Sequence, residues 1–172
     1  KELKVYDLIE VELVRSDENK AIITGKNTQD VVINNKNGIL KIKMNIGKIF
    51  NGSDTKVTLY YKSLDVIDAN EGAKIYSTDV IKQFEINLKV QEGASIQIPL
   101  QVSYTNAKAV SGGSIKTKGT SKSQKIALLT GGLYQGEELG MTNVYFDKLE
   151  DYRDIESINA YHQYVDSGIV KA

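Results

Sequence analysis

In FEINLKVQ, residues 84–91, the apolar side chains Phe84, Ile86, Leu88 and Val90 alternate with Glu85, Asn87, Lys89 and Gln91. A period of two puts four apolar groups on one face of a β-strand. SIQIPLQV repeats the pattern at Ile96, Ile98, Leu100 and Val102. Its Pro99 falls on the outward phase, where a missing backbone donor is tolerable only at an edge or bulge. Shorter runs of the same kind occupy the first third: Val11 and Leu13, Ile23, Val31 and Ile33, then Leu40, Ile42 and Met44. NNKNG, residues 34–38, separates two of them and reads as a hairpin turn, since Asn and Gly accept positive φ at little cost. Residues 1–50 are therefore predicted to be antiparallel.

From residue 51 onward the pattern acquires a longer period. NEGAKI, QEGASI and SGGSIK resemble one another, and Gly72, Gly93, Gly113 and Gly132 are separated by 21, 20 and 19 residues. A meander of hairpins with loops of similar length would also set glycines beside strands, but these units share more than the glycine. A recurrence of about 20 residues, each unit unable to bury its own apolar face, predicts a solenoid in which each unit covers the next. The expected architecture is all-β: antiparallel N-terminal strands leading into a short right-handed parallel β-helix over 51–172, the whole of 1–172 forming one domain. Ile75, Ile96 and Ile115 should then share one interior column. Glycine recurs because a tight corner needs positive φ or a close backbone approach. In residues 141–158 the regular unit gives way to NVYFDKLEDYRDIES, where Leu149, Tyr152 and Ile155 recur every third residue and suggest either a short helical turn or a polar loop.

The opening YDLIEVELVRSDENKAIITGKNTQDVVINNKNGILKIKMN, the glycine-cornered repeats and GGLYQGEEL together resemble the head GIN domain of putative autotransporter adhesins, a largely Bacteroidetes family of exported proteins. The resemblance implies β-helical stacking and a place in the periplasm or on the outer surface. It implies no cofactor and carries over no functional residue. No charged-then-apolar leader stands at Lys1, so an exported protein is expected to have lost its signal peptide from this sequence.

Composition narrows the function classes. Lys and Arg number 22, as do Asp and Glu, so no global field draws the chain to nucleic acid or an anionic membrane. No apolar run reaches the roughly 18 residues of a membrane span. With one histidine, His162, and no cysteine, neither a usual zinc site nor a disulfide framework is available. No Gly-x-Ser-x-Gly elbow accompanies that histidine, which excludes the familiar triad arrangement. TGKNT at 24–28 lacks the glycine and the hydroxyl residue of a phosphate loop and is a turn. The acidic residues within 147–156 lack the spacing of a calcium loop.

The expected function is thus a non-catalytic cell-surface or periplasmic binding module. The alternative is a β-helical carbohydrate-active enzyme, a glycan hydrolase or lyase, for which Asp65 and Asp68 are the obvious carboxylate pair. Three residues apart on a regular strand, they point to opposite faces. Two further features bear on binding. Tyr60, Tyr61, Tyr76, Tyr104 and Tyr134 lie in or beside the repeats, mostly as half-buried structural residues with a minority at a contact surface. Between Lys108 and Lys125 there are five lysines and no acid, whereas 137–156 holds seven acids. Lys116, Lys118 and Lys122 are the candidate ligand-contact stripe, for a surface glycan or another protein, against the plainer role of keeping a sheet face soluble and blocking edge pairing.

Overall fold

The computed structural model describes residues 1–45, 51–136 and, for the backbone, 143–149. The chain is all-β, with one 3₁₀ turn at Thr28–Asp30 and thirteen strands in one mixed sheet. In order these are β1 (Glu2–Val5), β2 (Glu10–Arg15), β3 (Lys20–Gly25), β4 (Val31–Lys36), β5 (Ile39–Met44), β6 (Thr55–Tyr61), β7 (Val66–Ala69), β8 (Lys74–Tyr76), β9 (Ile81–Val90), β10 (Ser95–Val110), β11 (Ser114–Leu129), β12 (Leu133–Gly136) and β13 (Asn143–Leu149).

Pairing sorts the strands into two rows. The first runs β3, β6, β2, β8, the opening part of β10, the opening part of β11, β12. The second runs β4, β5, β1, β7, β9, the closing parts of β10 and β11, then β13. β10 and β11, 16 residues each, pass through both rows, and so curl the sheet until its end strands β3 and β4 flank a common cleft.

The interior is built in register rows. Val57, Val11, Ile75, Ile96, Ile115 and Tyr134 are consecutive partners across the first row, and each is at most 1 % exposed. The expected column of Ile75, Ile96 and Ile115 is therefore present, extended at both ends. In the second row Leu3, Ile67, Leu88, Ala107 and Ile126 form the matching line, also buried. Removing a side chain of this size from water contributes about 1.5–3 kcal/mol each, so the rows supply the main cohesion between successive strands.

Between the rows the chain turns on two-residue corners, Glu71-Gly72, Glu92-Gly93, Ser111-Gly112 and Thr130-Gly131, both residues at positive φ each time. Such turns match strand twist and favour glycine at the second position. Their stacking is hydrogen bonded: the N–H groups of Gly72, Gly93 and Gly112 donate to the carbonyls of Glu92, Ser111 and Thr130 at 3.0–3.1 Å. The corner glycines in the last two repeats are thus Gly112 and Gly131, one residue before the expected Gly113 and Gly132. Those two serve close approach instead. A Cβ on Gly113 would lie 2.9 Å from the backbone of Val90, and one on Gly132 2.1 Å from the Ala109 carbonyl oxygen. In the earlier repeats Ala73 and Ala94 take that second place.

Three expectations need correction. The N-terminal strands are not antiparallel as a group: only β4–β5, around the Asn37-Gly38 turn, and β3–β6 run antiparallel, whereas β1 and β2 enter the rows in parallel. Their partners lie far along the chain, Val11 opposite Val57 and Ile75, so no local pattern reveals the direction. Phe84 does not join Ile86, Leu88 and Val90 inside. The pairing of β9 with β10 lapses between Gln83 and Glu85, which leaves Phe84 69 % exposed. Residues 143–149 form strand β13 beside β11, where a helical turn or loop was expected; the remainder of that segment, and His162, lie outside the described residues.

Candidate functional site

Lys116 and Lys118 occupy the outward phase of β11, on either side of buried Thr117. Their register partners are Gln97 and Pro99 of β10, and with Ser77 these residues line a surface depression of about 400 Å³. Pro99 sits where β10 bends between the rows, its missing N–H placed at the change of direction. Tyr76 is the register partner of Gln97 and Glu12 that of Tyr76, and these outward residues are engaged with Lys56: its Nζ meets Glu12 Oε2 at 2.9 Å and lies 5.4 Å from the Tyr76 ring centre. The hydrogen bonds that Lys56 donates to Tyr76 and Glu12 push its ammonium well above the usual lysine range. Lys122 lies apart from the depression. Gly119, at φ 110°, starts a bend in β11, and Lys122 sits beyond it, exposed, between Ser121 and Ser123, which pair with Val102 and Tyr104.

That bend carries the second feature of the surface. Phe84 and Tyr104 pack edge to face with ring centres 5.2 Å apart and planes at 61°, and they border a depression of about 610 Å³. Tyr104 is 47 % exposed, while Tyr61 and Tyr134 are buried, so of the five tyrosines singled out above it is the one most open to a partner. A third, more apolar cleft of about 310 Å³ separates β3 from β4 and is lined by Ala21, Ile33, Leu40, Leu59 and Leu64.

Polar residues inside the sheet form a satisfied network. Tyr134 OH lies 3.0 Å from Thr117 Oγ1 and donates to Gln124 Oε1, and Thr105 Oγ1 lies 2.9 Å from Ser121 Oγ. Burial drives the Tyr134 phenol far above its ordinary range. Paired in this way, the groups hold the strands in register and present no nucleophile to solvent. Thr117 and Ser121 continue the inward phase of Ile115, whereas Thr105 and Gln124 could be recognised only once the bends in β10 and β11 were known, because the inward phase shifts before each of them.

The candidate carboxylate pair is divided. Asp65 is exposed at the surface, its backbone N–H donating to the Lys1 carbonyl at 2.8 Å. Asp68 is nearly buried, held by Lys4 Nζ at 3.3 Å and Asn70 Nδ2 at 3.1 Å. Neither aspartate lines any of the three depressions described above. Nor do the described residues bring together three or more His, Cys, Asp or Glu side chains able to hold a metal.

Residues 1–148 match the sequence profile of the family described as "Putative auto-transporter adhesin, head GIN domain". The chain belongs to that family. Two solved structures share the head GIN chain's fold: a putative adhesin of Bacteroides fragilis NCTC 9343 (TM-score 0.62, 12% identity, 86% of this chain and 90% of that one) and a putative adhesin of Parabacteroides distasonis ATCC 8503 (0.58, 18%, 86% and 74%). Short segments also match carbohydrate enzymes: 37 residues are 57% identical to palatinase of Erwinia rhapontici, and 33 residues 61% identical to probable oligo-1,6-glucosidase 2 of Bacillus subtilis strain 168. The head GIN chain spans only 7% and 6% of the length of those enzymes. Matches this short do not support the glycan-hydrolase alternative.

Proposed function

We propose that this head GIN domain is a non-catalytic binding module, displayed in the periplasm or on the outer surface, that holds an anionic surface glycan against the lysines of β11. The observation that carries the reading is the placement of Lys116 and Lys118: outward, two residues apart, and lining one depression with the hydrogen-bonding groups of Ser77 and Gln97. Sulfate or carboxylate groups on a polysaccharide would meet two ammonium groups and the Gln97 amide there, in a contact that salt screens. The family's adhesin description and the division of Asp65 from Asp68 both favour binding over turnover.

In this reading residues 1–172 are one domain, and its strands from residue 51 onward are coils of a right-handed parallel β-helix. The support is the regular offset of parallel partners: 21 residues from Ile75 to Ile96, then 19 to Ile115 and 19 to Tyr134. Strand twist favours the right hand for such connections.

The test is binding of the purified chain to heparin-type and polyuronate oligosaccharides at low and high salt, for the parent and for a variant with Lys116, Lys118 and Lys122 all changed to Ser. Binding should weaken with salt and fall in the variant. A folded variant that binds as well as the parent, or a parent that binds none at low salt, removes the proposal. Binding of an acidic protein instead would assign the same lysines to a protein partner.

A further inference from the structure

We infer that the Phe84–Tyr104 corner is a carbohydrate-stacking site for an uncharged pyranose ring, separate from the lysine depression. Phe84 is 69 % exposed in a strand whose other apolar residues, Ile81, Ile86, Leu88 and Val90, are at most 3 % exposed. The core does not require an aromatic ring there. Tyr104, on the neighbouring strand, is the other strongly exposed ring among the described residues, and its edge-to-face contact with Phe84 at 5.2 Å holds the two rings together before any ligand arrives. Two pre-set rings at the border of a depression offer a polarisable floor to the C–H face of a sugar, whose binding gains from contact area and from the absence of ordering cost.

The surrounding groups suit the hydroxyl edge of the same ring. Glu85 and Ser123 are the register partners of Tyr104 on either side. Asn106 Nδ2 donates to Glu85 Oε1 at 2.8 Å, which orients the carboxylate next to Tyr104 as an acceptor for hydroxyl groups. Glu85 and Lys125 both line this depression and their opposite charges offset, so the ring it suits is uncharged, in contrast to the ligand of Lys116 and Lys118. The patch is small for a protein partner. Beside the two rings the depression is lined by Glu85, Thr105, Asn106, Ser123, Gln124 and Lys125, and two aromatic side chains fall far short of the roughly 800 Å² that each partner of a stable protein interface buries. One pyranose needs no more area than the two rings supply.

Titration calorimetry with cellohexaose, maltohexaose and chitohexaose tests the site. At least one should bind the parent chain, and Phe84→Ala and Tyr104→Ala should each weaken it by about tenfold or more, the loss of roughly 1.4 kcal/mol. Both residues are exposed, so thermal unfolding of the variants should match the parent. Raising salt should change the affinity by less than about twofold, since no charge is neutralised. A Lys116→Ser, Lys118→Ser double variant, whose lysines line only the other depression, should bind these neutral sugars as the parent does. No binding of any of the three, equal binding by both aromatic variants, or affinity abolished by salt would overturn the site. So would a concentration-dependent dimer that Phe84→Ala abolishes, because the corner would then join two copies of the chain. Neutral-sugar binding lost in the aromatic variants and anionic-glycan binding lost in the lysine variant are independent results, so either reading can fail alone.

Discussion

Gly112 and Gly113 are adjacent and identical in type, yet they should respond oppositely to substitution. Gly112 has φ 73° and nothing within 4 Å of a built Cβ. Alanine there meets only the cost of the left-handed region, about 1–2 kcal/mol, partly offset by the smaller entropy of its unfolded chain. Asparagine, which tolerates that region, should cost less still, about 0.5 kcal/mol or under. Gly113 has no positive φ, but its Cβ would lie 2.7 Å from Val90 Cγ2 and 2.9 Å from the Val90 carbonyl carbon and oxygen. The valine methyl can rotate, whereas the backbone atoms belong to a strand paired on both sides. Overpacking against such a neighbour costs about 3 kcal/mol, toward the upper end of the usual range. For a chain of 172 residues this lowers the melting temperature by roughly 6–12 °C. Thermal and urea unfolding of Gly112→Asn, Gly112→Ala and Gly113→Ala should show increasing destabilisation in that order. Gly113→Ala as benign as Gly112→Asn would mean that successive parallel strands are not in contact at this corner.

Three further outcomes are expected. Ile96→Ala removes a side chain 1 % exposed between Ile75 and Ile115 and should cost about 2–5 kcal/mol in urea unfolding, against about 0.5–1.5 kcal/mol for Ile96→Val; equal effects would place Ile96 outside the column. Leu8 has φ 63° and its half-buried side chain covers the Gly72 corner, so in Leu8→Gly the relief of left-handed strain is offset by lost packing and added unfolded-chain entropy, and stability should change by less than about 1 kcal/mol; a loss above about 2 kcal/mol in urea unfolding would contradict that account. Glu71 is raised above the ordinary carboxylate range, chiefly by a hydrogen bond to Asp7, with burial and the charges of Asp7 and Glu92 adding to it. The folded state therefore takes up its proton more readily than the unfolded chain, and its penalty, present at neutral pH, is relieved as pH falls through the raised value. Glu71→Gln should exceed the parent in melting temperature at pH 7 and lose that advantage toward the ordinary carboxylate range; a constant difference across pH would refute the coupling.

What the sequence reveals of this fold is what local pattern can encode. A hairpin closes on neighbouring residues, so Asn37-Gly38 announces the β4–β5 turn. The glycine period announces the stack because every corner repeats the same backbone demand. Direction is different, since β1 and β2 acquire parallel partners tens of residues away and their own alternation is the same in either sense. Bends are also silent. Strict alternation places Phe84 inside, but the break before Glu85 turns it out, and the same kind of bend at Gly119 separates Lys122 from Lys116 and Lys118. Lysine spacing could nominate a stripe, while only the positions of Ser77, Gln97 and Pro99 show which two lysines share a depression.

The claim that this domain binds anionic glycan without turning it over is tested most directly by titrating the purified chain with a heparin-type hexasaccharide in a calorimeter at low salt. The account predicts heat that saturates, that weakens when the titration is repeated at high salt, and that stops once the sites are filled. Heat that continues after saturation, as cleavage proceeds, would contradict the non-catalytic reading, and no heat at low salt would contradict the binding itself.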